Sequence, residues 1–408
     1  MATLSENNNW KKNIALFLTG QAVSLIGSSL VGYAIMWHVT LKTGSGTMMM
    51  VFTVAVMLPM FFMAPFGGVW ADNYNRKRLI VLADAFIATV TLVIAILYTT
   101  GMENLWVLLG CSIARSLGQG VQMPAVNSLI PQIVPEEHLL RVNGINSTIM
   151  SISMLGSPAL AGALLTFFPI HTILYIDVFT AACGILILLA FVKVPNPKNA
   201  EIRKDEKISV FADLKDGISY IAHHPFLKRF FIIVACFTFL LAPAALLTPL
   251  QVTRNFGPDV WRLTVIEIAF SVGMAGGGLL MSTWGGWKNK VWTIGISFIL
   301  MAVMSVGLGL TKVFPLYSVF MLVIGITAAT GNTPAMTILQ QKVAPEYMGR
   351  VFSIMTMISS VVMPLGTVVF GPLADRISLD IIIVVTGGLL AVLGVYLFND
   401  KMLLEAGK

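Results

Sequence analysis

Four ionisable side chains stand inside long apolar runs of this chain: Asp84 in "LADAF", Arg115 in "ARSLGQG", Asp177 in "LYIDVFTAACG" and Glu267 in "VIEIAFSVGMAGGG". A charge at mid-bilayer costs roughly 3 kcal/mol or more, so each must be paired, hydrogen-bonded or used. Arg115 falls about halfway along its run and is expected to face a central cavity, the alternative being an arginine that pairs with neighbouring groups to fix helix packing. Glu267 has no base near it in sequence. Desolvation favours the protonated form of a carboxylate, a property that suits a group loading and releasing a proton near neutral pH. Asp84 and Asp177 are placed nearer the ends of their runs, within reach of water. All four are candidates for proton coupling, each weighed against a buried group satisfied by a neighbouring helix.

Uncharged polar residues interrupt the same runs. Gln21, Ser24, Gln119, Gln122, Asn127, Asn143 and Asn146 are costly against lipid and are expected to line an internal cavity. The chain has 23 methionines, densest in "TMMMVFTVAVMLPMFFMAPF", and methionine makes adaptable apolar surfaces. A cavity of this composition suits a large, mostly apolar molecule. Cys111, Cys183 and Cys236 show no metal-ligand spacing and read as packing residues. No phosphate-binding glycine loop, zinc pair or nucleophile elbow is present. No cofactor, no metal and no nucleic-acid partner is expected, and ATP hydrolysis by this chain is disfavoured.

The elements that position these residues follow from composition. Of 408 residues 57% are hydrophobic and 11% charged, well under the share of about 25% charged that soluble domains carry. Runs of about 20 apolar residues, enough to cross a bilayer as helices, follow one another almost end to end. Breaks at charges, glycines and prolines give twelve expected spans: 13–40, 47–71, 78–99, 104–130, 138–168, 171–194, 227–253, 261–284, 290–311, 315–340, 347–375 and 379–399. The fold class is therefore all-α membrane protein, with two six-helix bundles over 1–194 and 227–408 and a linker over 195–226. Within the linker Val210, Phe211, Leu214, Ile218 and Ile221 fall on one face of a short amphipathic helix. The polar start "MATLSENNNWKKN" is unlike a cleaved signal, so the first span is expected to be retained. Of the 26 lysines and arginines, all except Lys42, Arg115, Arg254, Arg262, Lys312 and Arg376 fall on the face that bears both termini. The positive-inside rule makes that face cytoplasmic.

The halves repeat each other. "MPAVNSLIPQIVPEE" from Met123 returns as "TPAMTILQQKVAPEY" from Thr333, at an offset that superposes Pro124 on Pro334 and Pro135 on Pro345. Parallel repeats are common in transporters, with the substrate site near mid-membrane between them. Two other stretches share letters: "GGVWADNYNRKR" from Gly67 and "GPLADRISLD" from Gly371. The first ends the second span on the basic face and the second ends the eleventh on the opposite face, so different jobs are expected of them.

Twelve spans in two halves, with "GGVWADNYNRKR" after the second, resemble the major facilitator superfamily. The superfamily's loop signature aligns on Gly68, Asp72, Arg76 and Lys77, with Asn73 and Asn75 standing where it has Arg and Gly. The resemblance implies that Asp72 latches the halves in the outward-facing state. Arg115 with Gly118 and Gly120 is similar to the fourth-helix arginine motif linked there to proton transfer. "GSPALAG", with Gly156, Pro158 and Gly162, resembles the antiporter motif of the fifth helix. "NNWKKNIALFLTGQAVSLIGS", "ARSLGQGVQMPAVNSLIPQIVPEEHL", "IEIAFSVGMAGGGLL" and "PEYMGRVFSIM" are similar to the macrolide-efflux branch of the drug:proton antiporters. What this implies is a monomer in the cytoplasmic membrane, in contact with lipids, that exports a lipophilic drug in exchange for protons by alternating access. An exporter of an endogenous lipophile, such as a siderophore or a lipid, is the alternative. An integral membrane enzyme or a channel fits less well, because the ionisable groups are scattered.

Overall fold

A computed structural model describes residues 9–192, 194, 210–344 and 347–407. The first six long helices are α1 (Asn9–Thr43), α2 (Gly46–Asn73), α3 (Arg76–Thr99), α4 (Leu105–Ile133), α5 (Leu139–Phe167) and α6 (Ile170–Phe191). After the linker come α7 (Val210–His223), α8 (Pro225–Leu246), α9 (Thr248–Phe256), α10 (Val260–Trp284), α11 (Lys290–Leu310), α12 (Phe314–Lys342), α13 (Met348–Ala374), α14 (Leu379–Asn399) and a short α15 (Lys401–Ala406). No strand occurs among the described residues.

Helix ends fall where capping chemistry puts them. The side chains of Asn75, Asn104 and Asn289 accept from the backbone amides of Arg78, Trp106 and Val291 at 3.1, 2.8 and 3.0 Å, satisfying donors that have no partner within a helix. Prolines 59, 65, 124, 131, 158, 334, 364 and 372 lie inside long helices, which membrane helices tolerate when neighbours take up the freed carbonyls. The expected single span over 227–253 is instead α8 and α9, divided at Leu247 between Pro243 and Pro249. By length and composition eleven stretches among the described residues can cross a membrane, one of them α8 and α9 together. α4, diluted by Arg115, Gln119, Gln122 and Asn127, completes the twelve.

The chain divides into two compact units, Met1–Val39 with Val51–Ile202, and Thr40–Met50 with Arg203–Lys408. Unit 1 has an apolar core of Phe17, Ile80, Leu129, Ile130 and Leu188, drawn from α1, α3, α4 and α6. Unit 2 is centred on Leu227, Phe230, Ile294, Ile338, Leu339 and Val351. The linker helix docks on unit 2: Ile221 is buried there, and Tyr220 stacks on Tyr347 with ring centroids 4.2 Å apart. Its expected apolar face is corrected at Ile218, which is exposed. The face that docks carries Gly217, where a side chain would meet Ile354 and Arg350. The side chains of Val210, Phe211 and Leu214 lie outside the described residues.

Candidate functional site

In unit 1, α3, α4 and α6 bring three of the four ionisable candidates together. Asp177 is 1% exposed, Asp84 4% and Arg115 5%. The expectation that water reaches the two aspartates is therefore corrected: both point inward, among helices, rather than toward a membrane surface. Arg115 likewise does not stand open but is spent on Asp177, Nη1 to Oδ2 at 2.5 Å. The same guanidinium donates to the Thr91 hydroxyl. Thr91 Oγ1 donates to Asp177 Oδ2 at 3.3 Å and Ser28 Oγ to Oδ1 at 3.2 Å. Asp177 thus has a cation and two hydroxyl donors, the company a buried carboxylate needs. Nη2 of Arg115 is buried without a hydrogen-bond partner among the described residues.

Asp84 is treated differently. Its one hydrogen-bond donor is Gln122 Nε2, 2.9 Å from Oδ1, and no cation pairs with it among the described residues. This is the partner that sequence reasoning missed. The sequence places Gln122 on a cavity wall, and its link to Asp84 on another helix has no signal in local spacing.

Glu267, on α10 of unit 2, is partly buried and has no hydrogen-bond or ion-pair partner among the described residues. On α12 of the same unit the buried hydroxyl of Tyr317 donates to Gln251 Oε1 at 2.9 Å. Gln251 Nε2 in turn donates to Asp380 at 2.8 Å, and Asp380 pairs with Lys312 at 2.6 Å. None of these contacts is legible in sequence, because the apolar run over 227–253 hides the start of α9.

Ser24 is buried, with its Cβ against Gly184 of α6, and packs α1 on α6. Gln21, Gln119 and Asn146 are partly exposed, and Asn127 and Asn143 exposed. A groove of about 350 Å³ in unit 1 is lined instead by Met63, Trp70, Leu82, Phe86, Leu117 and Val121.

Where α2 gives way to α3, the side chain of Asp72 lies outside the described residues. Arg76 donates to the carbonyls of Ala71 and Ser128 at 2.9 and 3.0 Å, and Lys77 to those of Leu189 and Val192 at 3.1 and 2.8 Å. These cations serve carbonyls at or near helix C-termini, where positive charge is favoured. Gly68 has open space beside it, whereas a side chain on Gly67 would meet the carbonyl of Gly120. The close approach in this stretch is therefore made by Gly67. In α5, Gly156 faces open space and the helix runs unbroken through Pro158 and Gly162.

Residues 17–367 match the Major Facilitator Superfamily. Among characterised proteins the chain is 29% identical to macrolide efflux protein A of Streptococcus pyogenes, with 92% of this chain and 93% of that one aligned. It is 23% identical to the multidrug efflux pump Tap of Mycobacterium bovis, over 92% and 90% of the two chains. Among solved structures, the nucleoside transporter NupG superposes with a TM-score of 0.68 at 16% identity, covering 96% of this chain and 98% of that one. The match extends over most of the helices of both units, and the chain belongs to the major facilitator superfamily.

Proposed function

We propose that the protein is an efflux transporter of the cytoplasmic membrane, with both termini in the cytoplasm, that exchanges protons for a lipophilic drug of the macrolide or multidrug kind. The observation that carries the coupling is a charge count in unit 1: there are two buried carboxylates, Asp84 and Asp177, but one buried guanidinium, Arg115, and it pairs with Asp177. Arg115 and Asp177 cancel each other. An ionised Asp84 would leave a net negative charge in a low-dielectric interior, at a cost that a bound proton removes.

In this reading Asp84 carries the proton, Gln122 holds its carboxyl in place, and the Arg115–Asp177 pair fixes the surrounding potential. Glu267, without a cationic partner, is a second acid of the same kind in unit 2. Export is supported by the activities for which the two relatives are named, and a lipophilic substrate by the apolar groove on α2, α3 and α4. Lipid is the surrounding partner, and the transporter works as a monomer. Collapse of the proton gradient by an uncoupler should raise accumulation of a macrolide in cells expressing the protein, and accumulation unchanged by the uncoupler would refute coupling. The endogenous-lipophile reading has no observation of its own in the structure.

A further inference from the structure

Residues Thr40–Met50 belong by sequence to the first six helices but pack with unit 2. They comprise the end of α1, a turn at Gly44 with φ of +57°, and the first turn of α2. The first amides of a helix lack intrahelical acceptors and attract negative charge. Here Asp375, the residue following α13, supplies it. Gly46 N donates to Oδ1 at 2.7 Å, and Thr47 N and Ser45 Oγ each donate to Oδ2 at 2.8 Å. Arg254 of α9 closes the group from the other side. Its Nη2 reaches Asp375 Oδ1 and the carbonyl of Gly44, each at 2.8 Å, and its Nη1 reaches the carbonyl of Ala374 at 2.5 Å. The backbones touch as well, since a side chain on Gly46 would meet the carbonyl of Gly371, and one on Gly371 would meet Met50.

These contacts are of a releasable kind. Side-chain exposure is 27% at Asp375 and 32% at Arg254, so water can take over each bond as the groups part. Burial works against ionisation of Asp375, but the donors from Thr47, Gly46 and Ser45 outweigh it and hold the carboxyl below its ordinary range. We propose that Asp375 and Arg254 form an outer-face clasp on the α1–α2 turn, closed in this structure and opened once in each transport cycle. The proposal rests on the transporter reading above but needs neither protons nor a particular drug. In "GPLADRISLD" the Gly-x-x-x-Asp spacing thus places Gly371 at the helix contact and Asp375 on a helix start.

The test uses the full chain in cells, with Cys111, Cys183 and Cys236 replaced and one reporter cysteine added. Met49→Cys reports the clasped turn, since Met49 is 1% exposed. Ser147→Cys, on the exposed part of α5 near the cytoplasmic face, reports the opposite side and is read in inside-out vesicles. With a membrane-impermeant maleimide, Asp375→Asn or Arg254→Gln should speed labelling of the Met49 reporter by about tenfold, the effect of losing one charge-assisted hydrogen bond. Labelling at the Ser147 reporter should fall in the same variants. Unchanged labelling at Met49, or a rise there with no fall at Ser147, would overturn the proposal, the second outcome marking a merely local contact. If Asp375→Asn fails to reach the membrane, Arg254→Gln and Ser45→Ala give the same readout. Labelling without drug or gradient separates this outcome from failure of the proton-coupling reading.

Discussion

At matching places in the repeat each unit packs its own helices by a different means. The offset that places Pro124 on Pro334 places Arg115 on Gly325. In unit 1 the position holds a buried guanidinium paired with Asp177. In unit 2 it holds no side chain, and α12 lies directly against α10. A side chain on Gly325 would meet the carbonyl of Phe270, one on Gly273 that of Leu322, and one on Gly277 that of Ile326. Close approach through small residues is how membrane helices associate without a hydrophobic driving force. One unit therefore has an interior that can titrate, and at the same level the other has a backbone contact that cannot.

The contrast breaks most visibly at Arg115. Arg115→Leu leaves Asp177 buried without its cation and should lower stability by about 3–5 kcal/mol, read as a loss of folded protein on heating and size-exclusion chromatography. Adding Asp177→Asn should recover much of that stability, and the coupling between the two changes measures the pair. In unit 2, Gly325→Ala should cost about 1–3 kcal/mol by overpacking against Phe270. Gly276→Ala on the same α10 faces open space and should stay within about 0.5 kcal/mol of the parent.

Asp84→Asn should change stability by about 1 kcal/mol or less, because the hydrogen bond from Gln122 remains available. It should nevertheless flatten the dependence of macrolide efflux on external pH. A small effect is also expected at Asp400, which caps α15 and pairs with Arg229 at 2.8 Å. Burial opposes its ionisation, but Arg229, Tyr396 and the Leu403 amide together hold its carboxyl below the ordinary range. A depressed folded-state value stabilises above the unfolded value of about 3.9. That contribution is lost only as pH falls through the folded value, so melting between pH 5 and 8 should not register this group. Asp400→Asn should cost about 1 kcal/mol or less, since Arg229 is half exposed.

What sequence made legible was whatever is local. Apolar runs gave twelve spans with ends close to those observed, and "ARSLGQG" marked the one helix too polar to stand out by hydropathy. The division of α8 from α9 had a local signal in Pro243 and Pro249, but the run around them is apolar enough to hide it. Gln251, Asn255 and Arg254 are thereby hidden as a polar cluster. Pairings across helices had no local signal at all. Nothing near Asp84 names Gln122, and nothing near Asp375 names Gly46. Such contacts depend on how helices rotate about their axes, which burial of many side chains decides together. The likeness of "GGVWAD" to "GPLAD" was visible, yet topology alone could not tell which acid would meet a helix start.

The central claim is that the surplus carboxylate of unit 1 carries the exchanged proton. Purified full-length protein in a weakly buffered detergent solution near pH 7, containing a pH-sensitive dye, tests it most directly. Addition of a macrolide should release about one proton per protein that binds it, and Asp84→Asn, still binding the macrolide, should release none. Release undiminished in Asp84→Asn would contradict the claim.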